Sequence, residues 1–486
     1  MTGLAERLGN EPAVRAVLDA LAAQRDGPPA WVVGGTVRDA ALGRPLNDVD
    51  LAVAGDPERA ARAVACAVRG PIFPLSEKFG AWRALARGEG WVCDVSALRG
   101  GSIEADLAER DFTVNSVAVP LAGGPPVDPH GGLDDVERRS LRVLGGDTVE
   151  ASAYAADPLR PLRLARLATE LPLAPDERTE RLTREAAARV TDASSERVFA
   201  ELRRIVVAER AVEGVELADR LGLLGAVVPE LAALRGVEQS HFHHLDVHAH
   251  TLEVLRREVE LESRLDDLFG AEAAGLLEAV LAEPLGDELT RAQALRFGAL
   301  LHDIGKPATR GVRPDGRVTF LGHDKVGAQM VAALCRRLRT SERLRSFLAG
   351  LAAHHLVLGF LVHERPLSRR AVYRYLRACE PVEVEVTLLS CADRLATRGR
   401  RHAPAIAAHL ELARELMPEA LAWRAGGGAP RPPVRGDELA EELGIERGPE
   451  LGRLLEALSE ARFAGEAGDR ARALDLARRL RDNPHR

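Results

Sequence analysis

Asp48 and Asp50 stand two residues apart in Asp48-Val-Asp50-Leu-Ala-Val53, an apolar run that reads as a strand. Alternate side chains of a strand share a face, so both carboxylates project together. Two hard oxygen ligands on one face suit Mg²⁺, which takes one or two carboxylates together with phosphate oxygens. Upstream, Val33-Gly34-Gly35-Thr-Val-Arg38-Asp39 puts a double glycine after a second apolar segment. Backbone N–H groups there can approach an anion closely, and the next helix N-terminus favours negative charge. Arg38 adds a charge-assisted fork for the same anion. Cation site and phosphate cradle together point to metal-assisted phosphoryl or nucleotidyl transfer.

A second group lies further along. Only 14 histidines occur in the chain, yet His250, His302-Asp303, His323, His354-His355 and Asp393 follow one another in the order of a metal site. Imidazoles mixed with carboxylates suit Mn²⁺, Fe²⁺, Co²⁺ or Ni²⁺ better than Mg²⁺. His354 and His355 are alternatives for one ligand position. His241, His243 and His244 have no such ordered company and are set aside.

These groups need elements to carry them. Trp31–Val33, Asp48–Val53, Trp91–Val95 and Thr113–Val119 are predicted as short strands, with helices such as Pro57–Val68 between or after them. From about Pro158 onward Leu and Val recur at three- and four-residue intervals, the spacing of amphipathic helices. Ala425-Gly-Gly-Gly-Ala-Pro-Arg-Pro-Pro433 is the clearest linker. The expected architecture is α+β: a small mixed-sheet head over 1–145, an all-α neck over 146–236, a helical histidine-bearing domain over 237–424 and a helical tail over 425–486.

Composition bounds the class. The 486 residues, 46% hydrophobic and 29% charged, supply material for several cores. A net charge of −7 excludes a uniformly positive coat but not a local basic face toward nucleic acid. Of 66 basic residues only Lys78, Lys306 and Lys325 are lysine, so phosphate contacts fall to arginine forks. Arg, Glu or Gly breaks every apolar stretch before ~18 residues, so no membrane span is expected. Met1–Asn10 carries Glu and Arg in place of the apolar core of a secretory signal. Five cysteines without a C-x-x-C pair fit a reducing cytoplasm.

Gly34-Gly35-x-x-Arg38-Asp39 with Asp48-x-Asp50 resembles the signature of the class II tRNA nucleotidyltransferase and bacterial poly(A) polymerase family, whose head is polymerase-β-like. Arg110-Asp-Phe-Thr-Val-Asn115, Asp128-Pro-His-Gly-Gly-Leu133, Asp157-Pro-Leu-Arg160-Pro-Leu-Arg163-Leu-Ala-Arg166 and Ser195-Glu-Arg-Val198 resemble its later motifs in the same order. Leu301-His-Asp-Ile-Gly-Lys-Pro307 resembles the core motif of HD phosphohydrolases, with His250 as first and Asp393 as last ligand. The resemblance implies that Asp48 and Asp50 bind two Mg²⁺ ions aligning an RNA 3′-hydroxyl with the α-phosphate, and that Asp94 is a third carboxylate. It implies that Gly34, Gly35 and Arg38 hold the triphosphate, and that Asp111, with Arg110 and Asn115, meets the ribose. Asp157 and Arg160, three apart on one helix face, would read the base edge, with Arg163 and Arg166 beside them. CTP and possibly ATP, and the acceptor–TΨC arm of tRNA, are the implied partners.

Two features depart from the family pattern. Ala156 stands where the family usually has Glu. Only Gly100–Glu109 separates Arg99 from Arg110, where full CCA-adding members carry a longer mobile segment. That shortening resembles the CC-adding subset and is the favoured expectation, with full CCA addition, A addition and polyadenylation as alternatives. A further alternative is a metal phosphohydrolase whose head only binds RNA.

Overall fold

The computed structural model describes residues 2–23, 27–46, 48–76, 80–88, 90–239, 245–397 and 402–482. His241, His243 and His244 lie outside the described residues. Contacts divide the chain into two compact units, 1–227 and 228–486.

The first unit is built on a six-stranded sheet: β1 (Ala30–Val33), β2 (Asp48–Val53), β3 (Ile72–Ser76), β4 (Ala81–Leu85), β5 (Val92–Ala97) and β6 (Ala118–Pro120), in the order β3-β4-β5-β2-β1-β6. β2 and β5 are parallel, and the other neighbours are antiparallel. On one face Val49, Leu51 and Val53 of β2 and Cys93 and Val95 of β5 are buried with residues of the helices Pro12–Ala22 and Pro57–Ala67. On the other, Val33, Ala52 and Ala118 pack against Ile103 and Leu107 of the helix Ile103–Ala108. That second face carries Asp48 and Asp50, because they alternate with Val49 and Leu51.

The expected strand over Thr113–Val119 is instead a 3₁₀ turn, Thr113–Asn115, followed by the short β6. Asn115 is thereby held where its amide bonds Arg38 and Asp111. β3 and β4 had no prediction; their residues, Ile72-Phe-Pro-Leu-Ser76 and Ala81-Trp-Arg-Ala-Leu85, lack a clean alternation of apolar and polar types. Helices follow the sheet, among them Arg160–Glu170 and Ser195–Val207.

The second unit is helical apart from two short hairpins. Its polar centre is carried by the helices Val247–Glu262, Arg291–Leu301, His323–Arg337, Glu342–His354 and Glu383–Ala396. One stretch, Glu342–Glu364, is long and apolar enough by length and composition to cross a membrane, against the sequence expectation. Its Leu344, Phe347, Leu348 and Leu351 are buried in the unit, and the helix breaks where it delivers His355 to the polar centre. Of its most apolar window, 39% is buried inside the unit.

The turn after His302-Asp303 crosses the start of the His323–Arg337 helix backbone to backbone. A Cβ on Gly305 would lie 2.3 Å from the His323 carbonyl oxygen and 2.6 Å from the Gly327 nitrogen. Only glycine permits that approach, which draws Asp303 and His323 together. Gly305→Ala is expected to lower the stability of this unit by about 2–3 kcal/mol, measured by denaturant unfolding, because rigid backbone must move apart.

Candidate active site and metal centre

Register brings the three carboxylates of the head to one corner. Asp50 of β2 pairs with Asp94 of β5, and Asp48 lies one alternation further along β2. The Gly34–Ala41 helix begins directly beside them. The Gly35 amide donates to Asp50 Oδ2 at 3.1 Å. The Thr36 hydroxyl donates to the Asp48 carbonyl at 3.1 Å and accepts from the Asp50 amide at 2.7 Å, which ties the glycine turn to the strand. Gly34 has φ +64°, and a Cβ there would stand 2.6 Å from an Arg110 guanidinium nitrogen. Burial, and then the neighbouring Asp94, raise the Asp48 carboxyl above its ordinary value. Burial pushes Asp50 up to about 6, with Arg110 pulling the other way and Asp94 adding to the rise. Asp48 and Asp50 thus hold negative charge that the neighbouring arginines do not fully offset, as a divalent-cation site requires.

These residues open onto a cavity of about 690 Å³ whose lining includes Gly34, Gly35, Arg38, Asp48, Asp50 and Asp94, then Arg110, Asp111, Asn115, Arg160, Arg163 and Arg166. Its wall is an alternating chain of charges. Arg38 forks Asp39 at 2.9 and 3.0 Å and donates to the Asn115 side-chain oxygen at 2.7 Å. Asn115 donates to Asp111 at 2.8 Å, and Arg163 donates to the other Asp111 oxygen at 3.0 Å. Burial works to raise Asp111, but Arg163 and Asn115 hold it at about 2. Arg163 and Arg166 converge on Glu201, at 3.4 and 2.5 Å, and Arg166 and Arg204 converge on Glu170. Glu201 and Glu170, absent from the sequence reading, therefore orient the arginine row.

Asp157 and Arg160 do not share a helix face. The helix starts at Arg160, and Asp157 precedes it, accepting from the Leu159 amide and from Arg197 at 2.6 Å. Asp157 is outside the cavity lining, because the Pro-Leu step after it begins the helix one turn too late. Arg160 donates to the carbonyls of Glu109, Arg110 and Ala153, leaving its buried Nε without a partner.

In the second unit, six of the expected ligands meet. His250, His302 and Asp393 form one triad of ligand atoms and Asp303, His323 and His355 another. Asp303 links them: its Oδ2 lies 3.1 Å from His302 Nε2, and its Oδ1 lies 3.3 and 3.6 Å from the Nε2 atoms of His323 and His355. The Nδ1 atoms of His302, His323 and His355 pair with the carbonyls of Ala299, Phe320 and Ala352, each three residues earlier. Nδ1–H donation to these carbonyls turns each Nε2 lone pair inward, the arrangement that metal-binding imidazoles use. His302 Nε2 is buried without a hydrogen-bond partner of proper geometry. Burial lowers His355 toward the neutral form that a ligand needs. Despite burial, His302 and Lys306 hold Asp303 well below the usual carboxylate range. This donor set fits transition-metal ions. His355 is the member that joins; His354 points elsewhere, half-buried, with Asp324 as its acidic neighbour.

A raised carboxyl makes folding bind a proton, so the penalty at Asp50 is absent below pH 3.8, grows to about pH 6 and is complete above it. Two pH units amount to about 3 kcal/mol as an upper bound. Asp50→Asn is therefore expected to stabilise the metal-free head at pH 7, raising its thermal midpoint by several degrees. Calorimetry at pH 5 and pH 7 should show the gain shrinking as the pH falls.

Comparison with known proteins accords with this geometry. Residues 30–142 match the poly A polymerase head domain, 173–234 the probable RNA and SrmB-binding site of polymerase A, and 247–398 the HD domain. The chain is 36% identical over 447 residues to an A-adding tRNA nucleotidyltransferase of Deinococcus radiodurans, covering 91% of this chain and 93% of that one. It is 36% identical over 454 residues to a CC-adding tRNA nucleotidyltransferase of Thermus thermophilus, covering 91% and 92%. Among solved structures, a CCA-adding enzyme in complex with CTP has the same fold at TM-score 0.64 and 17% identity, over 100% of this chain and 98% of that one. The Thermotoga maritima CCA-adding enzyme complexed with tRNA gives TM-score 0.61 at 18% identity, over 98% of each chain. A paired-aspartate head and an HD domain thus occur together in a chain that belongs to the tRNA nucleotidyltransferase family.

Proposed function

We propose that the head adds cytidines to the 3′ end of tRNA from CTP, releasing pyrophosphate, and that it stops after two. The observation that carries the transfer chemistry is the Asp48–Asp50 pair at the mouth of the arginine-lined cavity, beside the Gly34–Gly35 turn. In this reading the residues 1–145 form the catalytic head, 146–236 the neck, 237–424 the HD domain and 425–486 the tail.

The Gly34 and Gly35 backbone and Arg38 hold the triphosphate, with Arg110 beside them. Asp111 and Asn115, already fixed by Arg163 and Arg38, present acceptor and donor to the ribose. Arg160 and Arg163 line the cavity as the donors nearest a base edge, with Arg166 behind them; Asp157 joins only by leaving Arg197. Mg²⁺ ions bound by Asp48 and Asp50 supply charge neutralisation at the triphosphate and a lowered pKa for the RNA 3′-hydroxyl. Asp94 completes the corner. Arginines of the neck and tail meet the phosphates of the acceptor–TΨC arm, in a cytoplasmic, tRNA-maturing role.

The halt after two cytidines rests on Arg99–Arg110. The segment is a 3₁₀ turn and one short helix capped by Ser102, with Ile103 and Leu107 buried. In this reading the anchored segment does not reshape the site for ATP. Addition of the final A is the second reading, favoured by the A-adding relative at equal identity. Incubation with tRNA lacking its terminus should give two labelled cytidines from CTP alone and no adenosine when ATP follows. Asp48→Asn or Asp50→Asn should cut incorporation by about a thousandfold. A single adenosine on tRNA ending in CC would favour the second reading, and long A tracts on any RNA would overturn both.

We infer that the HD domain is a metal-dependent phosphohydrolase acting on a phosphomonoester or cyclic phosphodiester. Mn²⁺, Fe²⁺, Co²⁺ or Ni²⁺ bound by the two triads supplies Lewis acidity and an activated water. His355→Ala is expected to lose at least tenfold in metal affinity and all hydrolysis, whereas His354→Ala keeps both; metal analysis of the purified variants with a phosphatase assay decides it.

A further inference from the structure

β4 contributes one charged side chain to the row of carboxylates. Arg83 stands opposite Asp94 in the β4–β5 pair, and Asp94 stands opposite Asp50 in the β5–β2 pair, so one row across the sheet runs Arg83, Asp94, Asp50. Arg83 donates from Nε to Asp94 Oδ1 and from a terminal nitrogen to Oδ2, both at 2.7 Å. Such a fork occupies the facing edge of the carboxylate with two parallel hydrogen bonds. The strand order puts it on the side of Asp94 away from Asp50, and Asp94 lines the cavity while Arg83 does not. The pair is half-buried, with the two side chains 34% and 26% exposed. Its effect is on the neighbouring cation site, which meets Asp94 already neutralised and fixed in orientation.

We propose that Arg83 is a positioning residue for the transfer reaction: it locks Asp94 outside the primary cation ligands and keeps the cation affinity of the corner low until the triphosphate binds. The proposal rests on the reading of Asp48 and Asp50 as cation ligands. Arg83 has two separable actions. Its charge opposes a divalent ion across the row, and its planar fork aligns Asp94. Lysine keeps the first and loses the second, because an ammonium is a point charge.

Mn²⁺ titration followed by electron paramagnetic resonance, on the full chain without nucleotide, separates these actions. The HD ions are common to every variant and cancel in the differences. Asp50→Asn should lose the head ions. Arg83→Gln should bind Mn²⁺ there about three- to tenfold tighter, a change typical of removing one screened charge a few ångströms from the site. It should also transfer CMP roughly tenfold more slowly. Arg83→Lys should match the native Mn²⁺ affinity yet stay slow. Unchanged or weaker Mn²⁺ binding in Arg83→Gln, or native turnover in Arg83→Lys, overturns the proposal while the cation reading stands. Should Asp50→Asn keep the head ions, the cation reading falls and the proposal with it.

Discussion

Asp48, Asp50 and Asp94 repel one another, and the register of β2 on β5 nonetheless holds them on one face of the head sheet. The opposite face shows what sustains this. Val49, Leu51, Val53, Cys93 and Val95 are buried there at 0–1% exposure, so slipping either strand by one residue would exchange an apolar core for the carboxylates. Like charges stay together because the alternative costs far more. Burial first, and then Asp94 beside it, leave the Asp50 carboxyl raised. The cavity wall meets the same problem with paired charge. Arg38, Arg163 and Arg166 are each shared between two acceptors and Arg204 forks Glu170, so the protein itself orients the arginines.

The HD centre gathers a different donor set: four imidazoles converge with only two carboxylates. Backbone carbonyls do the orienting, through the Nδ1 atoms of His302, His323 and His355. Asp303, between the two triads, needs the Gly305–Gly327 crossing to reach both. The rigidity of one site comes from an ion-pair chain, that of the other from backbone geometry.

What the sequence disclosed follows from this difference. Asp48 and Asp50, the glycine turn and the ordered histidines were legible because one element fixes each group, and alternation or adjacency is a local property. Arg83, Glu201 and Glu170 were not, since they act across strands or between helices and nothing in their spacing marks a partner. The shared helix face expected of Asp157 and Arg160 failed for a local reason: the chain enters its helix only at Arg160, and Asp157 is engaged before it. His355 was separable from His354 only once the direction of the helix end was known. Strands β3 and β4 escaped because mixed side chains suffice where the sheet nears its edge.

The short segment between Arg99 and Arg110, on which the proposed halt after two cytidines rests, is held by several anchors. Ile103 and Leu107 close the core behind Ala52, the residue following Leu51 of β2. Asp106, 1% exposed, accepts from Arg110 at 2.8 Å and from the Arg99 amide at 3.3 Å, and the Leu107 carbonyl accepts from Ser116 at 2.7 Å. Moving this segment would open the apolar layer and strand a buried carboxylate, two penalties of the kind that make displacement rare. Through Asp106 it also holds Arg110, whose guanidinium lies beside Gly34. A lever that re-forms the site for a second base has to be free of such anchors. On the proposed reading, discrimination rests on side chains already in place, Arg160 and Arg163 among them.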